Sequence, residues 1–320
     1  MDQKNMPLAL SHYPLSLQIE ITTACNLDCV MCEHSHTKEN PFDLNFQEFR
    51  KIIDSNEFFQ LINFTGIGES LLNKDFFNMI EYAKRKNIYV WFNSNFTLMT
   101  KDKAKKLIQL GTDAIAVSMD GARRETYEAI RRGAKFNVVK ENIKNFQEIK
   151  KELKKNVPEL FFVVVVMEEN LSELKEFVLL AKELGIKKIL FVGMIEFKGN
   201  ESFAVKDKDL FEEKKQEILT KAEEEGIQII GFPSERKDMG ACYLPWNSLY
   251  INAEGKVLPC CFVMQRDSKR IIEECVMGNA KKQGIKEIWN SENYKGFREK
   301  LKSKNLPNIC RNCPVRSSIF

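Results

Sequence analysis

The sequence predicts an α/β chain: a curved, partly open barrel of six βα units followed by a small cysteine-rich C-terminal extension. Two observations predict it. Between Ser16 and Val192, short β-branched or aromatic runs alternate with longer amphipathic stretches, the pattern of a parallel sheet with helical crossovers. After Gly240 that alternation gives way to short strands, turns and cysteines.

The candidate strands are, in order, Ser16 to Ile21, Leu61 to Phe64, Ile88 to Phe92, Ala114 to Ser118, Leu160 to Met167 and Ile189 to Val192. The stretches between them carry helical patterns that stop where C-caps belong: Lys74 to Lys86 before Asn87, Asp102 to Leu110 at Gly111, Leu171 to Leu184 at Gly185. Asp207 to Gly226 reads as one more charged helix. Six units are too few for a closed eight-fold barrel, but they suffice for an open one with ligands at the C-terminal ends of its strands. Polar residues just after each strand are therefore the candidates for function. The change of character places a domain boundary near residue 235, with the barrel over 1–235 and the extension over 236–320. No low-complexity linker or sequence-level repeat separates them.

Composition sets limits on function. Of 320 residues 43% are apolar, enough for a sizeable core and roughly two domains. The longest purely apolar run, Leu160 to Met167, falls well short of the about 20 residues a membrane-spanning helix needs, so no membrane association is expected. Met1 to Leu17 lack a basic patch followed by an apolar stretch and a cleavage site, which predicts a cytoplasmic protein. Lys plus Arg (49) barely outnumber Asp plus Glu (45). Clusters such as Lys150, Lys151, Lys154 and Lys155 sit in Glu-containing helical stretches and read as solvated faces, so no nucleic-acid partner is expected. Nine cysteines is an odd number, and they fall in two groups near the two ends, seven of them the candidate ligands below, which in a reducing cytosol favours metal ligation over disulfides.

The first candidate strand runs into Thr22-Thr23-Ala24-Cys25-Asn26-Leu27-Asp28-Cys29-Val30-Met31-Cys32, a C-x3-C-x2-C spacing. Three closely spaced thiolates can ligate three irons of a cubane iron–sulfur cluster and leave the fourth open to chelate a ligand. A zinc site is the alternative, since His34 and His36 lie close enough in sequence to complete one. At this point the chain resembles the radical S-adenosylmethionine (SAM) superfamily, whose signature loop Cys25, Cys29 and Cys32 match at the end of the first strand.

Downstream residues follow that family in order. Thr65-Gly66-Ile67-Gly68-Glu69-Ser70, after the second strand, is similar to the family's glycine-rich loop, in which the glutamate binds the methionine amino group of SAM. The chemistry fits: glycines let backbone approach a ligand, and a carboxylate pairs with an ammonium through charge-assisted hydrogen bonds. It is not a dinucleotide fingerprint, because Leu71 stands where a third glycine belongs, and Ser70 replaces the usual proline. Asn93-Ser94-Asn95 and Ser118-Met119-Asp120-Gly121 end the third and fourth strands, and the resemblance assigns Asn95, Ser118 and Asp120 to a rim that suits a ribose and an amino-acid head group. Arg131 resembles the arginine that relatives direct at the SAM carboxylate, with Ser118 as its helper, and a guanidinium fits a carboxylate bidentately. Met31 occupies a position often aromatic in the family, near the adenine; thioethers adapt to such a place. Each residue also has a plain structural use: Asn95 and Asp120 as turn formers, Glu69 as a cap neighbour, Arg131 as a surface helix residue.

The second group begins at Cys242-Tyr243-Leu244-Pro245-Trp246 and continues through Ile251-Asn252-Ala253-Glu254-Gly255-Lys256-Val257-Leu258-Pro259-Cys260-Cys261. Glu254-Gly255 reads as a hairpin turn that brings Cys242 and Cys260 into register. Cys310-Arg311-Asn312-Cys313-Pro314 supplies a compact pair, so Cys242, Cys260, Cys310 and Cys313 suffice for a fully ligated cluster; a zinc knuckle is the alternative. This region resembles the SPASM and twitch extensions of radical SAM enzymes, including the Met277-Gly278-Asn279 turn and an Ile285 to Leu301 helix containing Ile288-Trp289. The full SPASM pattern has seven cysteines and two extra clusters. Here Cys261 and Cys275 are the only others in the region, so one auxiliary [4Fe-4S] cluster is expected. The default for those two is a small buried hydrophobe; donation of a hydrogen atom to a substrate radical, as in some family epimerases, is the sharper alternative.

The resemblance implies a partial (βα)6 TIM-like barrel with a SPASM/twitch-like extension, and a radical SAM enzyme. An electron from a low-potential donor such as flavodoxin or ferredoxin enters the first cluster, SAM is cleaved to methionine and a 5′-deoxyadenosyl radical, and that radical abstracts a substrate hydrogen. Iron–sulfur potentials span roughly −700 to +450 mV, and this step needs the low end. The protein binds, orients and excludes water, so no hydrolytic triad is expected. The auxiliary cluster implies one-electron oxidation of a product radical or shaping of the substrate pocket. Oxidative modification of a peptide leads the substrate classes. Dehydrogenation of an aminoglycoside- or sugar-like small molecule is the alternative, which Cys242-x17-Cys260 and the single extra cluster suit. The lack of an N-terminal extension to grip a leader peptide weakens the peptide case. A non-enzymatic zinc or redox-sensing protein on the same fold is the third reading, and Gly68, Glu69, Ser118 and Arg131 in order argue against it.

Overall fold

A computed structural model describes residues 6–36, 40–197, 199–233, 242–265, 269–303, 305–311 and 313. Through residue 231 the elements are β1 (Ser16–Ile19), α1 (Phe46–Asp54), β2 (Leu61–Phe64), α2 (Phe76–Arg85), β3 (Tyr89–Ser94), α3 (Lys101–Leu110), β4 (Ala114–Ser118), α4 (Arg124–Ile130), α5 (Phe136–Glu152), β5 (Glu159–Val166), α6 (Leu174–Glu183), β6 (Lys188–Gly193), α7 (Lys208–Glu225) and β7 (Gln228–Gly231). The remainder holds α8 (Leu244–Asn247), β8 (Ser248–Ile251), β9 (Lys256–Leu258), α9 (Lys269–Glu274), β10 (Gly278–Asn279), α10 (Ile285–Trp289), α11 (Glu292–Lys302) and α12 (Asn308–Arg311). No helix among the described residues is long and apolar enough to cross a membrane.

The chain forms two compact units. The first comprises Met1–Ala24, Glu39–Val90 and Ser234–Phe320. In it β1 lies between two parallel neighbours, with Leu17 opposite Ile62 of β2 and Leu249 of β8. β8 and β9 make an antiparallel hairpin whose turn ends on Gly255 at φ 85°, a left-handed conformation that glycine adopts without strain. β10 adds antiparallel to β9. Asn45 and Glu48 start α1 with a reciprocal capping box, and Phe49, Ile52 and Ile53 face inward, as do Phe76, Met79, Ile80 and Ala83 of α2. Phe64 of β2 meets Phe49 and Phe76 at ring separations of 5.6 and 5.5 Å. Each such buried ring is worth about 1.5–3 kcal/mol relative to exposure.

The second unit comprises Cys25–Lys38 and Trp91–Pro233, and the chain enters it within β3. From Trp91 onward β3 pairs parallel with β4, and β4, β5, β6 and β7 follow as parallel neighbours. Phe136, Val139, Ile143 and Phe146 form the buried stripe of α5, at the three- and four-residue spacing of an amphipathic helix.

β2 and β4 match the expected bounds, while β3 and β5 shift by a residue or two. Three features differ from expectation. A seventh parallel strand, β7, follows the left-handed cap at Gly226, because Gln228–Gly231 completes the unit begun by α7. The single helix expected over Ile285 to Leu301 is two, because Ser291 accepts the Tyr294 N–H and caps α11. Cys242 lies ahead of α8, so the β8–β9 hairpin does not pair it with Cys260. The boundary expected near residue 235, Gly240, Asn312 and Pro314 lie outside the described residues. One cut between the compact units falls at Pro233/Ser234, and 242–313 share a unit with β1 and β2.

Candidate cofactor and cluster sites

The Cys25–Cys32 loop is anchored in the second unit on the C-terminal end of α4. Asp28 N–H donates to Arg132 O and Val30 N–H to Ile130 O, both at 3.0 Å. Cys32 N–H closes a turn on Cys29 O at 3.1 Å, and Ser35 Oγ donates to the same carbonyl at 2.8 Å. Cys25, Cys29 and Cys32 are in no disulfide and lie near enough to feel one another's charge. Burial pushes the Cys29 thiol up to about 11 and that of Cys32 up to about 12. Such thiols hold their protons until a metal displaces them. His34 contributes a backbone N–H bond to Cys32, and the side chain of His36 lies outside the described residues.

Beside this loop the guanidinium of Arg131 is buried. It meets Asp120 Oδ2 at 2.6 Å, and its Nη1 reaches Cys29 Sγ at 3.9 Å. Asp120 is wholly buried and also accepts from Val165 N–H at 2.7 Å. Burial opposes its ionisation, while the carboxylate and Cys29 keep Arg131 charged. Asn170 fixes this turn by donating to Asp120 O at 2.9 Å, and Glu173 accepts the Ala122 and Arg123 N–H groups. Asp120 and Arg131 thus face each other beside Cys29. Asn95 is tied to the cysteine loop through Asn26 at 3.0 Å and also accepts from Thr97, so it acts as a turn former too. Ser118 is half-buried at the end of β4. Met31 packs with Val30, Ile130 and Met167.

The glycine loop belongs to the first unit. Gly68 lies against the chain leading to the cysteines: a Cβ there would sit 2.3 Å from Thr22 O and 2.6 Å from Ala24 O. Glu69 N–H donates to Ala24 O at 2.8 Å, and its side chain is buried, accepting from Leu71 N–H at 3.3 Å. Gly66 is equally constrained, with a Cβ falling 2.3 Å from Cγ of Glu20.

Also in the first unit, Cys242, Cys260, Cys310 and Cys313 line one small pocket with Phe297 and Leu301. Cys260 is half-buried, and desolvation together with the neighbouring thiols drives its pKa well above the ordinary value. Among the described residues no three His, Cys, Asp or Glu side chains are gathered tightly enough around one point to grip a single ion; these four ring a space instead. Cys261 hydrogen-bonds Gln18 and lies near enough to Cys260 and Cys313 for their charges to interact, and Cys275 sits buried at the end of α9.

Several buried polar groups were not foreseen. Arg298 is fully enclosed, donating to Pro245 O, Leu8 O and Trp289 O, and its guanidinium stacks 4.4 Å from the Trp289 and Tyr294 rings. Its Nη2 and the Tyr294 hydroxyl, which senses Cys242 and Cys260, have no hydrogen-bond partner among the described residues. Glu20, just past β1, is the other. A carboxylate in the alternating run Leu17-Gln18-Ile19-Glu20-Ile21 was the only signal for it.

Two family models match the chain: the radical SAM superfamily over residues 19–181, and SPASM, an iron–sulfur cluster-binding domain, over 242–314. The chain belongs to the radical SAM superfamily. It is 27% identical over 315 residues to the tungsten-containing aldehyde ferredoxin oxidoreductase cofactor-modifying protein of Pyrococcus furiosus, covering 94% of this chain and 88% of that one. It is 32% identical to the mycofactocin maturase MftC of Mycolicibacterium smegmatis over 54% of this chain, a match spanning only 43% of the maturase. The Streptococcus suis SuiB structure bound to S-adenosylmethionine superposes with a TM-score of 0.72 at 16% identity, covering 89% of this chain and 68% of SuiB, and shares the fold. This is a radical SAM enzyme with a partial barrel and a SPASM domain, and its cofactors are SAM, a [4Fe-4S] cluster and an auxiliary cluster. The residues present suit those groups: two sets of thiols outside any disulfide and at least partly buried, glycines without room for a side chain, and a buried carboxylate after them.

Proposed function

We propose that this radical SAM enzyme oxidatively modifies a peptide, with residues 1–235 as the barrel and 236–320 as the auxiliary-cluster domain. When bound, SAM and the two clusters supply a 5′-deoxyadenosyl radical and a one-electron acceptor for the substrate radical it creates. In this reading Cys25, Cys29 and Cys32 hold the SAM-cleaving cluster. Arg131, kept charged by Asp120, offsets the negative charge gathered at Cys29. Gly66 and Gly68 clear the approach to SAM, Glu69 accepts its ammonium, and Asn95, Ser118 and Met31 line its remaining contacts. Cys242, Cys260, Cys310 and Cys313 hold the auxiliary cluster, and the Tyr294 hydroxyl and Arg298 Nη2, with no partner among the described residues, are donors for it.

The observation that carries an oxidative reaction is the second ring of four thiols, separate in sequence from the first three. The maturase relative supports a peptide substrate. A small cofactor precursor is the second reading, favoured by the near full-length match to the cofactor-modifying protein. Anaerobic reconstitution tests the core of the proposal: about eight irons per chain are expected, falling to about four when Cys242, Cys260, Cys310 and Cys313 are replaced by Ala. SAM with a low-potential donor such as flavodoxin should release 5′-deoxyadenosine, and a peptide substrate should lose two hydrogens by mass. Iron near four in the unmodified chain removes the auxiliary cluster, and turnover of a small molecule alone moves the substrate to the second reading.

A further inference from the structure

We propose that Glu20 is a positioning residue for SAM: its carboxylate sets the conformation of the glycine loop and fastens that loop to the hairpin that leads to Cys260. The geometry lies within one compact unit. Glu20 Oε1 accepts the Ile67 N–H at 2.7 Å, and Oε2 accepts the Ala253 N–H from the β8–β9 turn at 3.2 Å. The Tyr250 hydroxyl of β8 donates to the same carboxylate, and the Glu20 backbone N–H bonds Ile251 O at 2.9 Å. Gly66 matches this arrangement from the other side, because any side chain there would fill the space through which Glu20 reaches Ile67. The tripeptide Ile67-Gly68-Glu69 is thereby pinned at both ends, by Glu20 at the first N–H and by Ala24 O at the last.

Stability alone does not account for the group. It is 1% exposed, and the charged side chain that acts on it, Glu254 of the hairpin turn, opposes its ionisation. A buried carboxylate held only by N–H and O–H donors costs free energy that a neutral residue would not. What it achieves is orientation of amides, the task of the residues behind a binding loop.

This inference rests on the reading of the glycine loop as a SAM site. The experiment is equilibrium binding of SAM to the anaerobically reconstituted full chain, at about pH 8 where the carboxyl is ionised. Wild type is compared with Glu20→Gln, whose amide NH2 would confront one of the two backbone donors. Iron content and cluster spectra are expected to stay those of wild type, while SAM affinity falls about tenfold. In turnover the loss should fall on KM for SAM more than on kcat. Tyr250→Phe, which removes one donor and keeps the ring, should weaken binding in the same direction by a smaller factor. Full iron with unchanged SAM affinity in Glu20→Gln overturns the inference. If that variant loses iron, the same result in Tyr250→Phe overturns it. A wild-type chain that holds its iron but binds no SAM sinks the SAM-site reading instead.

Discussion

Arg131 and Glu20 are both buried charges, and their surroundings differ in kind. Arg131 is matched by a carboxylate at 2.6 Å, whereas Glu20 has only neutral donors, and its carboxyl is pushed up from 4.5 to about 7 by burial. The pH dependence follows from that direction. Between pH 4.5 and about 7 the folded chain retains a proton that the unfolded chain releases, so stability falls as pH rises through this window. The Glu20 contribution to that fall is on the order of 3 kcal/mol. Thermal midpoints of wild type and Glu20→Gln, measured anaerobically across the window, should show the slope in wild type and lose it in the variant. Parallel slopes would mean that another group titrates. At this scale the sequence exposed the cysteines and Glu69 through their spacing. Glu20 was visible only as an oddity, because its partners Ile67 and Ala253 lie 47 and 233 residues away.

Elements were legible where periodicity and caps agree. Gly111 and Gly226 close α3 and α7 in left-handed conformations at φ 71° and 67°, as their positions after amphipathic runs suggested. The break between α10 and α11 was hidden, because Trp289-Asn290-Ser291 interrupts a helical pattern without Gly or Pro, and only the Ser291 cap reveals it. α11 also contains Gly296, around which an added Cβ would meet nothing within 4 Å, at a backbone angle open to any residue. Gly296→Ala should therefore stabilise the helix by about 0.5–1 kcal/mol, by reducing the freedom of the unfolded chain. Slower amide exchange across Glu292–Lys302 is the expected sign, and faster exchange would show that the helix needs its glycine.

For the whole molecule, metal and fold are linked. The thiols of Cys29, Cys32 and Cys260 all resist ionisation in the protein alone, and four thiols line one pocket of the C-terminal region. Ligation energy is then part of folding energy. Stripping the iron with a chelator under anaerobic conditions should lower the thermal midpoint and open residues 242–313 to protease before β3–β7; equal resistance with and without iron would uncouple the two. The family was readable from the order of its motifs, a property of the chain. The way the C-terminal region joins the molecule was not, because strand partners far apart in sequence leave no local mark. Its first strand lies parallel against β1, opposite β2, with Ile251 beside Ile19. The SPASM region is therefore no detachable cassette: without β8, the flank of the very strand that leads into the cysteine loop would be a naked row of amides and carbonyls, a template for aggregation.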